Sequence, residues 1–273
     1  MRLGSYIKYS TRFLFLQALL TFLTINYLNV FLISKDYCEQ CVGNNFLMQI
    51  NNKFMSTDYR IHSNQDVFSA AATKRYQRLY RQHDYQRPIP ERSVTTFAWI
   101  RKRIMENLRP IILDSGCGKG MSSRFLAARY PNHWVVAVDQ SAQRLQAFTG
   151  PRASNLLVVR DNCSDFWQQL ASSDLEIAMH MLLYPNPYPK RQHEKRRWYA
   201  HPLFSQMLHL SPLTILRSNW LDYLEQTAIV ANQLGFHTSI QRHHTQPGDA
   251  ITHFEQKYCE HQVPVYELRI VRL

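Results

Sequence analysis

The side chains of this sequence best able to do chemistry fall in five short stretches. "DSGCGKG" (114–120) places Gly116, Gly118 and Gly120 at alternate positions behind Asp114. "VVAVD" (135–139) ends on Asp139, and "RDNC" (160–163) sets Asn162 beside Cys163. "YPNPYPKRQHEKRR" (184–197) holds Asn186 and Tyr188 among three prolines, ahead of Lys190, Arg191, His193, Lys195, Arg196 and Arg197. "THFE" (252–255) carries Thr252 and Glu255. Alternating glycines let backbone come close to a nucleotide-like ligand. An acid about twenty positions after such a loop can accept hydrogen bonds from both hydroxyls of a ribose. The amide of Asn186 both accepts and donates but carries no charge. The Lys/Arg cluster suits phosphates, and His193 suits a phosphate or a base. No metal is expected, because no partner stands at ligand spacing from His193 and Cys38-x-x-Cys41 has no second pair.

These residues need strands and helices to position them. The apolar run 111–113 reads as a buried strand, and Ser122 or Ser123 as the cap of a helix that runs to Arg129, where Pro131 prevents continuation. The G-x-G-x-G spacing is neither the dinucleotide fingerprint nor a P-loop. Further apolar strands are expected over 134–138, 155–159 and 175–183, each followed by one of the candidate loops. An open α/β sheet binds ligands beyond the carboxyl ends of its strands, and all four loops (the glycine loop, Asp139, Asn162 and Asn186) occupy that position. The expected fold is therefore α/β, Rossmann-like, with a mostly parallel central sheet flanked by helices. "SNWLDYLEQTAIVANQLG" adds an amphipathic helix with Trp220, Leu224, Ala228 and Val230 on its core face and Gly235 as its stop.

Loop, helix, strand and Asp139 together resemble the S-adenosylmethionine site of class I methyltransferases. From about His62 onward the chain resembles the tRNA (guanine-N7)-methyltransferase family. The proline loop carries that resemblance most specifically: family members have aromatic-Pro-Asp-Pro-Trp-Pro-Lys, then a His and Lys-Arg-Arg. A second family motif, Thr-x-aromatic-Glu, stands here as "THFE". The resemblance implies S-adenosylmethionine as cofactor, held by Asp114, Gly116, Gly118, Gly120, Asp139, Asn162 and Cys163. It implies a tRNA guanine as substrate, with Asn186 and Glu255 at the chemistry. Tyr188, the basic cluster, Asn219 and Thr252 would contact base and RNA.

The chain departs from the pattern at several positions. Asp114 replaces a Glu, Ser218-Asn219 replaces Thr-Asp, Asn186 replaces an Asp and Tyr188 replaces a Trp. Two acids near the base have thus become amides. An amino-group methyltransferase on another nucleic-acid base, whose loop [Asp/Asn/Ser]-Pro-Pro-[Tyr/Phe] "NPYP" partly matches, stays open. So does a non-catalytic RNA-binding homologue.

The 273 residues suffice for one sizeable core with an appendage, and the formal charge of +12 suggests a polyanionic partner. Five cysteines, an odd number, read as cytosolic thiols. The chain divides into an apolar segment 1–50, a basic approach segment 51–108 and a methyltransferase domain 109–273. Residues 13–34 lack charge and are long enough to span a bilayer. With Arg2, Lys8 and Arg12 before it, such an anchor would send the rest of the chain outside, away from a cytosolic cofactor and tRNA. The expectation is a cytoplasmic protein that begins at Met48 or Met55, with membrane anchoring through 13–34 as the alternative.

Overall fold

The computed structural model of the chain describes residues 87–148 and 152–272. The apolar segment, the C-x-x-C and most of the approach segment lie outside the described residues. Helix α1 (Glu91–Met105) starts directly after Pro90 and carries Glu91 in its first turn. Its buried Phe97, Ile100 and Ile104 share one face by helical spacing. The elements that follow are β1 (Ile111–Ser115), α2 (Met121–Arg129), β2 (Trp134–Asp139), α3 (Ala142–Gln146), β3 (Leu156–Arg160), α4 (Cys163–Ala171) and β4 (Ile177–Leu183). After two 3-10 turns (Arg191–Arg196 and Trp198–Ala200) come α5 (Phe204–His209), β5 (Leu213–Ser218), α6 (Leu221–Gln233), β6 (His237–His243), α7 (His253–Glu260) and β7 (Val265–Val271).

The strands form one seven-stranded sheet in the order β3-β2-β1-β4-β5-β7-β6. β1 to β5 are parallel, and β7 runs antiparallel to both β5 and β6. The parallel strands read as near-continuous apolar runs because helices cover both faces: every residue of β1, β2 and β5 is buried. On one side Phe97 meets Phe166 of α4 edge-on at 5.4 Å, joining α1 to the core. Asn155 is buried just before β3, and its Nδ2 faces the carbonyls of Ala127, Tyr130 and His133. That amide ties the end of α2 to the turn that leads into β2. The order reverses its winding direction between β1 and β4, the switch point beside which an α/β fold binds ligands. Because β1 to β5 are parallel, their carboxyl ends share one edge. The register Ser218 against Tyr266 and His243 against Val265 brings the 244–264 segment to that same edge.

Candidate active site

The glycine loop follows β1 and rests on β2. The Gly116 and Cys117 amides both donate to the Val138 carbonyl, at 2.7 and 3.1 Å. All three glycines have positive φ: 74°, 57° and 77°. Their roles differ. A Cβ on Gly116 would meet nothing within 4 Å, and one on Gly118 only its own loop carbonyl at 4.0 Å, so both face open space that a ligand can enter. A Cβ on Gly120 would lie 1.6 Å from the ring of Phe148. Gly120 thus makes room for a side chain of the protein. Phe148 is buried and is capped by the guanidinium groups of Arg124 and Arg152.

Helix α2 is not capped by a serine, as the sequence suggests. Gly120 occupies the cap in the left-handed region, and the Ser122 and Ser123 hydroxyls instead donate to Asp114 Oδ2 at 2.7 and 2.6 Å. Burial raises the Asp114 carboxyl above the usual carboxylate range, against the pull of those two hydroxyls. Asp139 ends β2 almost fully buried. Its Oδ2 accepts from the Gly118 amide at 2.9 Å and its Oδ1 from the Ser141 amide at 2.8 Å, with Arg144 at 3.3 Å. This locks the glycine loop to the acid. Oδ2, with the Gly118 amide as its partner, keeps a second lone pair with which to accept from a ribose hydroxyl. Open space over Gly116 and Gly118 beside such a carboxylate fits S-adenosylmethionine.

At the end of β3, Asn162 caps α4: its Oδ1 accepts from the Ser164 amide and hydroxyl. Cys163 is half-buried beside the loop, and burial pushes its thiol up to about 12. Beneath the loop lies a group the sequence reading passed over. Ser115 Oγ accepts from Trp167 Nε1 at 3.0 Å and lies 2.8 Å from His180 Nε2. His180 is fully buried, and burial lowers its pKa to about 3, so the ring is neutral. A His inside the apolar "LEIAMHMLL" was the signal available.

The proline loop leaves β4 at Tyr184. Tyr184 and Tyr188 have φ of 51° and 45°, although each precedes a proline, a position that favours extended backbone. Such strain persists only where surrounding structure holds it. Here the Tyr188 amide donates to Asn186 Oδ1 at 3.1 Å, and the Tyr188 carbonyl accepts from Arg197 Nε and Nη2 at 3.2 and 2.9 Å. Asn186 is exposed between the two strained tyrosines. Arg197 is completely buried, stacks 4.7 Å over Trp220 and also reaches Tyr199 and Gln226. Its reading as a phosphate ligand is therefore corrected: it pins the loop from inside. Lys190, Lys195 and Arg196 are exposed, His193 is half-buried with its ring 6.2 Å from Tyr188, and Arg191 opens the first 3-10 turn.

Asn219 follows β5 at the same edge, half-buried. Thr252 caps α7, accepting from the Glu255 amide at 3.0 Å. Glu255 is buried and engaged on both oxygens, by Arg217 Nη1 at 2.6 Å and by the Ile251 amide at 2.8 Å. Arg217 bonds Glu267 on its other side at 2.8 Å. Burial pushes the Glu267 carboxyl up, but Arg217 and Arg269 more than offset this and hold it below the usual range. Glu255, expected at the chemistry, is thus turned inward, and its charge is balanced by an arginine that the sequence reading missed. Arg217 sits inside the apolar "LTILRS" strand, where a charge is rare unless paired. Among the described residues no cluster of three or more His, Cys, Asp or Glu could hold a metal ion. Nor is any helix of those residues long and apolar enough to cross a membrane.

The chain is similar to a tRNA (guanine-N(7)-)-methyltransferase of Mycobacterium avium (strain 104), 31% identical over 119 residues, which are 42% of this chain and 43% of that protein. It is also similar to one of Oceanobacillus iheyensis, 24% identical over 178 residues, 61% of this chain and 83% of the relative. The chain thus spans less than half the length of the first and most of the second. A solved 16S rRNA (adenine(1408)-N(1))-methyltransferase from Catenulisporales acidiphilia is 16% identical, with a TM-score of 0.45 over 65% of this chain and 91% of that one. A family model described as "Putative methyltransferase" matches residues 108–268, more than half of the chain. On that match the chain belongs to this methyltransferase family, with tRNA (guanine-N(7)-)-methyltransferases among its relatives.

Proposed function

We propose that this protein transfers a methyl group from S-adenosylmethionine to N7 of a guanine in tRNA, in the cytoplasm. The observation that carries the reading is the convergence at one sheet edge. A glycine loop with open space over Gly116 and Gly118 adjoins Asp139, and a strained loop that exposes Asn186 leaves the neighbouring strand, followed by Lys190, Lys195 and Arg196. When bound, S-adenosylmethionine supplies an electrophilic methyl group on a sulfonium. The protein's task is alignment and exclusion of water, since N7 has a free lone pair and no proton to lose. Asp139 and the Gly116–Gly118 backbone hold the donor, Asn186 orients the base edge, and the exposed cations hold phosphates around it.

The test is incubation of the full chain with methyl-labelled S-adenosylmethionine and unmodified bulk tRNA. Label is expected in RNA, with incorporation falling steeply as salt rises. Cofactor binding without label in RNA would remove tRNA as substrate.

A further inference from the structure

Phe254 is 52% exposed, an unusual state for a Phe, at the first turn of α7 and at the same sheet edge as the candidate site. It does not stand alone. Its ring lies near-parallel to Tyr184 at 5.7 Å and 29°, and to Tyr258 at 6.2 Å and 28°. Tyr184 and Tyr258 complete the group at 5.7 Å. The group is anchored: the Tyr184 backbone N–H donates to the Arg217 carbonyl at 2.9 Å, and α7 is held by the Glu255–Arg217 ion pair at 2.6 Å. Tyr184 is also the residue that opens the Asn186 loop, whose far end carries Tyr188 with Arg196 over its ring at 5.9 Å. A preorganised aromatic surface is thus followed along one loop by exposed Lys190, Lys195 and Arg196. Aromatic rings combined with backbone-tracking cations are the two parts of a single-strand nucleic-acid site.

We propose that Phe254 is a stacking platform for an unpaired nucleobase of the RNA substrate, positioned by Tyr184 and Tyr258. This rests on the tRNA methylation reading and adds a specificity-determining contact to it. The occupant is a base because the neighbouring charge is positive and the ring is flat, accessible and already supported from within. An aliphatic side chain in its place would keep the apolar area but not the stacking.

The test compares Phe254→Leu and Phe254→Tyr in the full chain. Methyl transfer to tRNA is measured together with quenching of 2-aminopurine in a single-stranded RNA, with S-adenosylmethionine affinity and thermal midpoint as controls. Phe254→Leu is expected to lower kcat/KM for tRNA about tenfold and to abolish quenching, with both controls unchanged, while Phe254→Tyr stays near wild type. Moving 2-aminopurine from the methylated position to its neighbours, in tRNA, then shows which base is stacked. Wild-type transfer and quenching in Phe254→Leu overturn the platform alone. Loss in both variants with a lowered thermal midpoint also overturns it, in favour of a packing role for α7. Quenching that needs Phe254 in a protein that puts no label into tRNA removes the methylation reading and leaves the platform standing. No binding of either RNA removes both.

Discussion

Asn186 stands where the family resemblance places a carboxylate, and the structure shows what survives the exchange. The side-chain oxygen still closes the turn by accepting from the Tyr188 amide, so the loop geometry does not need the acid. What is missing is negative charge to offset the positive charge that develops on guanine as N7 is methylated. Asn186→Asp keeps the turn and restores the charge. It is expected to raise kcat for tRNA about tenfold with S-adenosylmethionine affinity unchanged, measured by single-turnover labelling. An amine methyltransferase would show no gain. At Gly120 the account predicts a stability effect. Gly120→Ala drives a methyl into the Phe148 ring at a positive φ, and a loss of about 1–3 kcal/mol is expected in urea denaturation. Pairing it with Phe148→Ala should recover part of that loss, because the clash is with that ring.

At the scale of elements, the proline loop is held from beneath by one arginine. Arg197 supplies two hydrogen bonds to the Tyr188 carbonyl and a stacked contact with Trp220, and it has no exposure through which to reach RNA. Arg197→Lys loses the fork that makes both bonds at once. We expect it to cost about 2–4 kcal/mol of stability and to depress methyl transfer. The salt dependence of tRNA binding should stay as in wild type, because no phosphate contact is lost. Lys195→Ala should do the reverse, leaving stability intact and reducing the salt slope by about one phosphate contact.

The sequence makes the position of this loop legible through its prolines and cations, but not which cation turns inward. Eight consecutive polar positions, 190–197, carry no period that marks Arg197 as buried, and Trp220 at the cap of α6 and Gln226 within it decide the matter. The same holds for Glu255. Its helix and its Thr252 cap follow from "THFE", whereas its ion pair needs β5 and α7 brought together across 38 residues of chain. Strands β1, β2 and β4 were legible as apolar runs ending at candidate loops. The serines after the glycine loop misled, because a hydroxyl that looks like a helix cap was within reach of a buried Asp114.

For the whole molecule, burial of neutral histidines sets the response to acid. The pKa of His180 is lowered to about 3 by burial, and that of His201 to about 4 by burial and the Arg87 charge. On unfolding each ring returns towards 6.5 and takes up a proton at any pH between its folded value and that figure. Their contribution to stability is therefore complete above about pH 6.5 and is lost as pH falls below it, at up to about 1.4 kcal/mol per pH unit for each ring. The buried carboxyls of Asp114 and Asp165, raised by burial, act with the opposite sign, so the comparison must isolate one ring. Wild type should lose more stability than His180→Gln between pH 7 and pH 5 in urea titrations. Equal losses would mean that His180 is not the neutral, buried ring described here.

The central claim is that the sheet edge built from the glycine loop, Asp139 and the Asn186 loop delivers a methyl group to N7 of a tRNA guanine. Its most direct test is the position of the methyl group. The full chain is incubated with S-adenosylmethionine and a single unmodified tRNA transcript, and the product is cleaved chemically at 7-methylguanosine. Strand scission at one guanine, absent without cofactor, is the predicted result. Methyl incorporation with no scission would place the methyl on another atom and contradict the account.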